Sequence, residues 1–157
     1  MNISPISFGK AVRINSYSAD APDRVVELIN GGKPQRGEKS AAKQLKKYFD
    51  DINIAPARVV EIYRNGYEGG DYYTYIVTGK TAQKLNAIFA PHEQKIKEIR
   101  DREGYESSKA ERNEKDRFEA QNTEKIDDII RDSEDDKTLS VDYNMEQKRI
   151  KSIKFYI

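Results

Sequence analysis

The chain has 157 residues, of which 28 are lysine or arginine and 27 are aspartate or glutamate, so its formal net charge at pH 7 is only +1. This balance argues against a generic nucleic-acid binder with a uniformly basic surface. The absence of cysteine excludes disulfides, thiolate metal sites and cysteine nucleophiles. Charged residues make up 35% of the chain, against about 25% in a typical globular domain, so we expect part of it to lie outside a compact core.

The charges are unevenly distributed along the sequence. Residues 1–60 carry ten basic and six acidic side chains, whereas residues 93–137 carry eleven basic and sixteen acidic ones. The first residues lack the charged leader and continuous apolar stretch of a signal peptide, and no apolar run approaches the roughly 20 residues that span a bilayer. We therefore expect a cytoplasmic protein without a membrane partner.

The first predicted elements are an extended segment and two helices. One helix begins near Asp20 and Pro22 and ends at Gly31, and the second covers about residues 37–51. The residues expected to be buried are Ile6, Phe8, Val12 and Ile14 in the segment, Val25, Val26 and Ile29 in the first helix, and Ala41, Leu45, Tyr48, Phe49 and Ile52 in the second.

A tyrosine-rich hairpin is predicted next. Five tyrosines fall between Tyr63 and Tyr75, in two strand-like runs around a glycine-rich turn. Alternation along a strand predicts that Tyr63, Tyr73 and Tyr75 share one face and that the aliphatic residues share the other. Tyrosines on an open sheet face suit partner binding, whereas ordinary packing with the hydroxyls at the core rim is the alternative.

A long helical region follows the hairpin. From Ala82 the apolar positions alternate in steps of three and four, and Pro91 should kink the helix or start a new one. Residues 104–123 read as an exposed helix or a mobile charged arm, and the acidic run 132–136 as a loop. The apolar residues of this region could fold back as an antiparallel helix that turns near Gly104, or pair with a second chain. We favour the intrachain hairpin, and hence a monomer over a homodimer.

The chain ends in two alternating runs that predict a second hairpin, from Leu139 to Tyr143 and from Ile153 to Ile157. The predicted fold is therefore α+β: a mostly antiparallel sheet of about five strands, with helices packed on one face and a long charged helical arm or helical hairpin. Residues 1–103 and 138–157 would form a single domain, and residues 104–137 a partly mobile charged arm or insertion.

No motif predicts catalysis, a cofactor site or a metal site. The lone histidine, His92, has no nucleophile or ligand grouped near it, and a structural role is the simpler interpretation. The adjacent acids at Asp127 and Asp128 point in different directions on a helix. The glycines around position 69 lead into a strand rather than a helix, so they do not predict a phosphate loop.

The sequence favours a non-enzymatic interaction module that binds another protein. The opening residues 6–10 and the charged arm resemble short reading frames of bacteria and phages. We expect the module to be an accessory or inhibitory protein. The expected partner-binding residues are Tyr63, Tyr67, Tyr73 and Tyr75. The alternative is nucleic-acid binding through a basic helix face, with bases stacked on the tyrosines; its residues are Arg36, Lys39, Lys43, Lys46 and Lys47.

Overall fold

The computed structural model describes residues 9–49, 57–66 and 68–157. Predicted core residues Ile6, Phe8 and Ile52, and the predicted contact residue Tyr67, lie outside these ranges. In chain order the elements are β1 (Ala11–Asn15), α1 (Asp20–Ile29), α2 (Lys39–Phe49), β2 (Arg58–Gly66), β3 (Gly69–Val77), α3 (Gly79–Glu103), a short 3-10 turn (Gly104–Glu106), α4 (Ser108–Ser133), β4 (Glu134–Asn144) and β5 (Arg149–Tyr156).

The five strands form one sheet in the order β2-β3-β1-β4-β5. Strand β1 lies at its centre, antiparallel to β3 and parallel to β4, and the two hairpins β2–β3 and β4–β5 are antiparallel. A parallel neighbour requires a crossover connection, and the chain between β1 and β4 supplies one. The predicted α+β class and the mostly antiparallel five-stranded sheet are therefore confirmed.

Helices cover both faces of the sheet, whereas the sequence analysis expected them on one face only. Helices α1 and α2 pack with Val12, Ile76 and Leu139 in a first core cluster. Helices α3 and α4 pack with Ala11, Tyr75 and others in a second cluster on the opposite face. The physical reason lies in the central strands: consecutive residues of β1 and of β3 are fully buried, which is typical of strands covered on both sides.

The long helical region is an intrachain hairpin. Helix α3 continues through Pro91, so no new helix begins there. The chain turns at Gly104, whose φ of 57° favours glycine, and α4 returns to place Phe118, Ile126 and Ile130 in the second core cluster. The predicted folding-back of these residues is confirmed. The predicted acidic loop at 132–136 is wrong, because α4 extends to Ser133 and β4 begins at Glu134.

Residues 104–137 were predicted to be a partly mobile charged arm, but they include helix α4, which packs in the core. Its buried residues join a cluster that also holds Val60 and Val77 of the sheet and Leu85 of α3. The described part of this segment thus contributes a helix to the second layer and the first residues of β4. Most charged side chains on α4 lie on its outer surface, which explains why the sequence resembled a solvated arm.

A buried carboxylate fastens the loop before α2 to the rest of the domain. Glu38 is fully buried and pairs with the Arg24 guanidinium of α1 through two hydrogen bonds. It also accepts hydrogen bonds at 2.8 Å from the backbone N–H groups of Gln35 and of Ile150 in β5. Although burial alone would raise it, these partners, Arg24 foremost, lower the pKa of Glu38 to about 2.

Candidate functional site

The tyrosines of the hairpin are divided between the two faces of the sheet. The register pairs Tyr63 with Tyr72 and Ile62 with Tyr73. Tyr63 therefore lies on the face opposite to Tyr73 and Tyr75, and the prediction that the three share a face is wrong. The error follows from the hairpin register, which leaves two residues between the paired Gly66 and Gly69 and so decides which residues face the same side.

Tyr75 belongs to the core. Its ring is only 1% exposed, and its hydroxyl donates to Glu134 and lies 2.6 Å from Nη1 of Arg64. Burial first, and then the hydrogen bond to Glu134, raise the pKa of Tyr75 to about 12, so its hydroxyl is neutral at physiological pH. Arg64 also donates from Nε to Asp127 at 2.7 Å. This tyrosine fixes α4 to the sheet and cannot itself contact a partner.

Among the described tyrosines of the hairpin, the exposed ones are Tyr63 and Tyr72, which we call the tyrosine pair. Their side chains are 40% and 56% exposed, and their ring centroids lie 5.0 Å apart at an interplanar angle of 59°. A Cβ added at Gly70 would lie 1.7 Å from the Tyr63 hydroxyl, so that ring lies directly over Gly70. The glycine leaves room for the ring, and the contact restricts the positions that the ring can take.

An apolar cleft adjoins the tyrosine pair where the edge strand β2 meets the helical hairpin. This edge cleft has a volume of about 220 Å³. Because β2 is an outer strand, side chains from both of its faces border the opening. The apolar lining consists of Ile62, Tyr63, Tyr72, Phe89, Phe118 and Ile126, with Glu61, Lys115 and Glu119 among the polar residues at its margin.

His92 lies on the side of α3 that packs against α4. Its ring stacks on Phe118 with centroids 4.1 Å apart, and Nδ1 lies 3.2 Å from a carboxylate oxygen of Glu114. Two hydrogen bonds lower the pKa of Glu114 to about 2. The bond that it accepts from Arg117 has the larger effect, and the bond with His92 has the smaller one. The histidine therefore helps to join α3 to α4. Across the described ranges, no group of three or more acidic, histidine or cysteine side chains could hold a metal ion.

A second, more polar cleft lies on the face of the sheet that α3 and α4 partly cover, beside the C-terminal end of α4. This arginine cleft has a volume of about 390 Å³ and is lined by Arg13, Arg64, Asn65, Gly69, Asp71, Tyr73, Tyr75, Arg131, Glu134, Asp135 and Thr138. Its three arginines come from β1, β2 and α4, which are far apart in the sequence. The sequence analysis missed them, because no local spacing connects positions 13, 64 and 131.

The basic residues of the alternative site are all exposed. Lys39, Lys43, Lys46 and Lys47 lie on the outer surface of α2, and Arg36 lies just before the helix. Helix α2 packs near β5, whereas the tyrosine pair lies on the β2–β3 hairpin, at the other edge of the sheet. Four strand spacings, or about 19 Å, separate those edges. The basic helix and the tyrosine pair are therefore separate surfaces.

Comparison with protein-family models, with curated proteins and with solved structures finds no match to this chain. In the described ranges, no helix has the length and apolar character that crossing a membrane requires.

Proposed function

We propose that this protein is a non-enzymatic interaction module that binds another protein through the tyrosine pair and the edge cleft. The observation that carries the proposal is the pre-positioned ring of Tyr63, packed over Gly70 and against Tyr72 beside an apolar cleft. Tyrosine is enriched among the residues that dominate protein interfaces, because it buries much area and loses little conformational freedom.

The neighbouring cleft supports a protein partner. Its volume of about 220 Å³ suits one or two side chains rather than a drug-sized ligand. Glu61, Lys115 and Glu119 at the margin would form the polar rim that surrounds the apolar centre of a typical interface. Of the four tyrosines that the sequence predicted to bind a partner, Tyr63 remains a proposed binding residue. Tyr72, which was not among the four, takes the place of the buried Tyr75.

The broader biological role is part of the same proposal. An accessory or inhibitory protein of a bacterium or phage acts by occupying a surface on its target, and a rigid aromatic patch beside a cleft serves that purpose. We further propose that it works in the cytoplasm as a monomer, because the apolar stripe of α3 is already covered by α4 of the same chain.

The proposal is tested by removing the tyrosine pair. The tagged Tyr63→Ala/Tyr72→Ala double variant should lose proteins that the wild type captures reproducibly from host lysate, while its circular dichroism spectrum remains unchanged. Tyr105→Ala is the matched control, since Tyr105 is another exposed tyrosine but lies at the turn between α3 and α4. Equal capture by the double variant and the wild type would overturn the proposal.

Nucleic-acid binding through α2 is the second candidate, and the exposure of all five basic side chains favours it. Each phosphate contact would contribute a log–log salt slope of about −0.7 to −0.9. We expect a Lys43→Gln/Lys47→Gln variant to reduce that slope and weaken binding to every sequence alike. Failure of the wild type to bind single- or double-stranded nucleic acid at low salt would exclude this candidate.

A further inference from the structure

Part of the sheet face under α3 and α4 is left open by these helices. The second core cluster contains residues of β1, β2 and β3 but none of β4 or β5. On this open part a further cleft follows the arginine cleft along β1 and β4; we call it the tyrosine cleft. It has a volume of about 350 Å³ and is lined by Asn15, Ser16, Tyr17, Ser140, Val141 and Tyr156. We propose that the two clefts together bind a nucleotide, with its phosphate in the arginine cleft and its base in the tyrosine cleft.

Arg13 supplies the phosphate-binding charge. Two of the lining arginines already have carboxylate partners: Arg64 and Arg131 share Asp127, and Arg64 also pairs with Glu134. The guanidinium carbon of Arg13 lies over the ring of Tyr73, 4.4 Å from its centroid, and no carboxylate of the described residues lies within ion-pair distance of Arg13. Its guanidinium is thus held in place by stacking, while its hydrogen-bonding edge remains open for a bidentate contact with an oxyanion.

The carboxylates of the arginine cleft leave Arg13 available. Glu134 pairs with Arg64 and accepts the hydroxyl of Tyr75, and Asp135 accepts the hydroxyl of Tyr48 at 2.6 Å. Asp71 accepts a hydrogen bond from the backbone N–H of Tyr72 and lies at the hairpin end of the cleft. A carboxylate in that position would oppose a bare anion but can accept a hydrogen bond from a ribose hydroxyl.

The tyrosine cleft has the chemistry to hold a base. Tyr17 is fully exposed and Tyr156 is 39% exposed, so both rings can serve as stacking surfaces. The side-chain amide of Asn15 donates to the Tyr156 hydroxyl at 2.6 Å and so fixes that ring. The remaining amide oxygen of Asn15 and the hydroxyl of Ser140 offer hydrogen bonds to the polar edge of a base.

The spacing of the two clefts fits one nucleotide. Arg13 and Asn15 point to the same face of β1. They are two residues apart, so their Cα atoms are separated by about 6–7 Å. Their partners on β4 are Thr138 and Ser140, so both clefts share one floor. That distance is comparable to the reach from phosphate to base within a nucleotide. A phosphate at Arg13 therefore places its base at Asn15 and Tyr156.

The experiment titrates the full chain with inorganic phosphate, adenosine, adenosine monophosphate and a single-stranded oligodeoxyadenylate, using calorimetry and amide chemical shifts. The monophosphate should bind more tightly than phosphate or adenosine alone, because it fills both clefts. Arg13→Gln should weaken the monophosphate by about tenfold or more, since it removes a charge-assisted contact, while leaving adenosine unchanged. Tyr156→Ala should weaken adenosine, whereas Tyr156→Phe, which keeps the ring, should retain most of the binding.

Arg102→Gln is the matched control, because Arg102 is an exposed arginine at the end of α3, remote from both clefts. An oligonucleotide that binds about tenfold more tightly than the monophosphate would identify a nucleic-acid strand as the ligand; equal affinities would identify a free nucleotide. The proposal is overturned if neither binds, if Arg13→Gln binds like the wild type, or if Lys43→Gln/Lys47→Gln alone abolishes binding. None of these results bears on Tyr63 and Tyr72, whose role is tested separately.

Discussion

At the scale of single residues, Glu38 joins three separate parts of the chain. One buried carboxylate accepts hydrogen bonds from Arg24 of α1, from the backbone of Gln35 and from the backbone of Ile150 in β5. Replacing it by alanine would leave a largely buried guanidinium and two backbone N–H groups without their partner. Breaking a buried ion pair in this way costs about 3–5 kcal/mol, a large share of the stability of a small domain.

We therefore expect Glu38→Ala to lower the free energy of unfolding by about 3–5 kcal/mol in urea denaturation at neutral pH. Glu27→Ala is the control, since Glu27 also pairs with Arg24 but its side chain is 62% exposed. An exposed pair contributes about 0–1 kcal/mol. If the two variants lose similar stability, the hydrogen bonds of Glu38 are not important to the fold.

For single residues of the candidate site, some features could be predicted from the sequence and others could not. Composition and alternation were enough to place the tyrosines on a hairpin. They could not decide which tyrosines face the same side, because this depends on the number of residues in the turn: one more residue would pair Tyr63 with Tyr73 instead of Tyr72. Arg13 and Arg64 carried no local signal, since only the folded sheet brings them to one cleft.

At the scale of secondary-structure elements, the helical hairpin was the most predictable part of the fold. The apolar residues of α3 alternate in steps of three and four, and further apolar residues lie near the end of α4. Each pattern indicated an apolar helix face that must pack against another element. The number of helical layers was less predictable, because a charged helix and a solvated arm share the same composition. The consecutive buried residues Tyr75, Ile76 and Val77 were the available signal for a doubly covered sheet.

Ile96 tests how the hairpin contributes to stability. It is 8% exposed on α3, in the half of that helix that lies towards Gly104. We expect Ile96→Asp to lower the free energy of unfolding by about 3–4 kcal/mol, because it buries a charge without a partner. Lys97→Asp is the control at the adjacent exposed position, where the expected change is within about 0.5 kcal/mol.

The outcome for Ile96 also bears on oligomeric state. If α3 packs on α4 of its own chain, the loss of stability should not depend on protein concentration, and light scattering should give a constant monomer mass. A mass that rises with concentration in the wild type and falls to that of a monomer in Ile96→Asp would instead assign this seam to a dimer. Unchanged stability of the variant would contradict packing at Ile96 altogether.

At the scale of the whole molecule, acidic groups paired with basic side chains connect the layers. The pKa values of Glu38 and Glu114 are lowered to about 2, chiefly by their hydrogen bonds to Arg24 and Arg117. Hydrogen bonds to Arg131 and Arg64 lower the pKa of Asp127. Glu38 connects the first helical layer to the sheet, whereas Glu114 and Asp127 lie on α4 in the second layer. Protonating these groups therefore weakens both layers.

The direction of the pH effect follows from the difference between the folded and unfolded states. An unfolded glutamate takes up its proton near pH 4.5, whereas Glu38 and Glu114 in the folded protein remain ionised down to about pH 2. Between these values the unfolded state binds more protons, so stability falls as the pH falls. Above about pH 5 their contribution is complete and stability should no longer depend on these groups.

We expect the free energy of unfolding, measured in urea from about pH 7 down to about pH 3, to be flat at first and then to decrease by several kcal/mol. By pH 3, Glu38 alone would contribute about 2 kcal/mol of that decrease. Glu38→Gln cannot ionise, so its acid decrease should be smaller than that of the wild type, although its stability at neutral pH is also lower. Glu27→Gln, which changes an exposed partner of Arg24, should reproduce the wild-type slope. Parallel curves for Glu38→Gln and the wild type would show that the acid sensitivity arises elsewhere and that the ion pair of Glu38 does not link proton binding to folding.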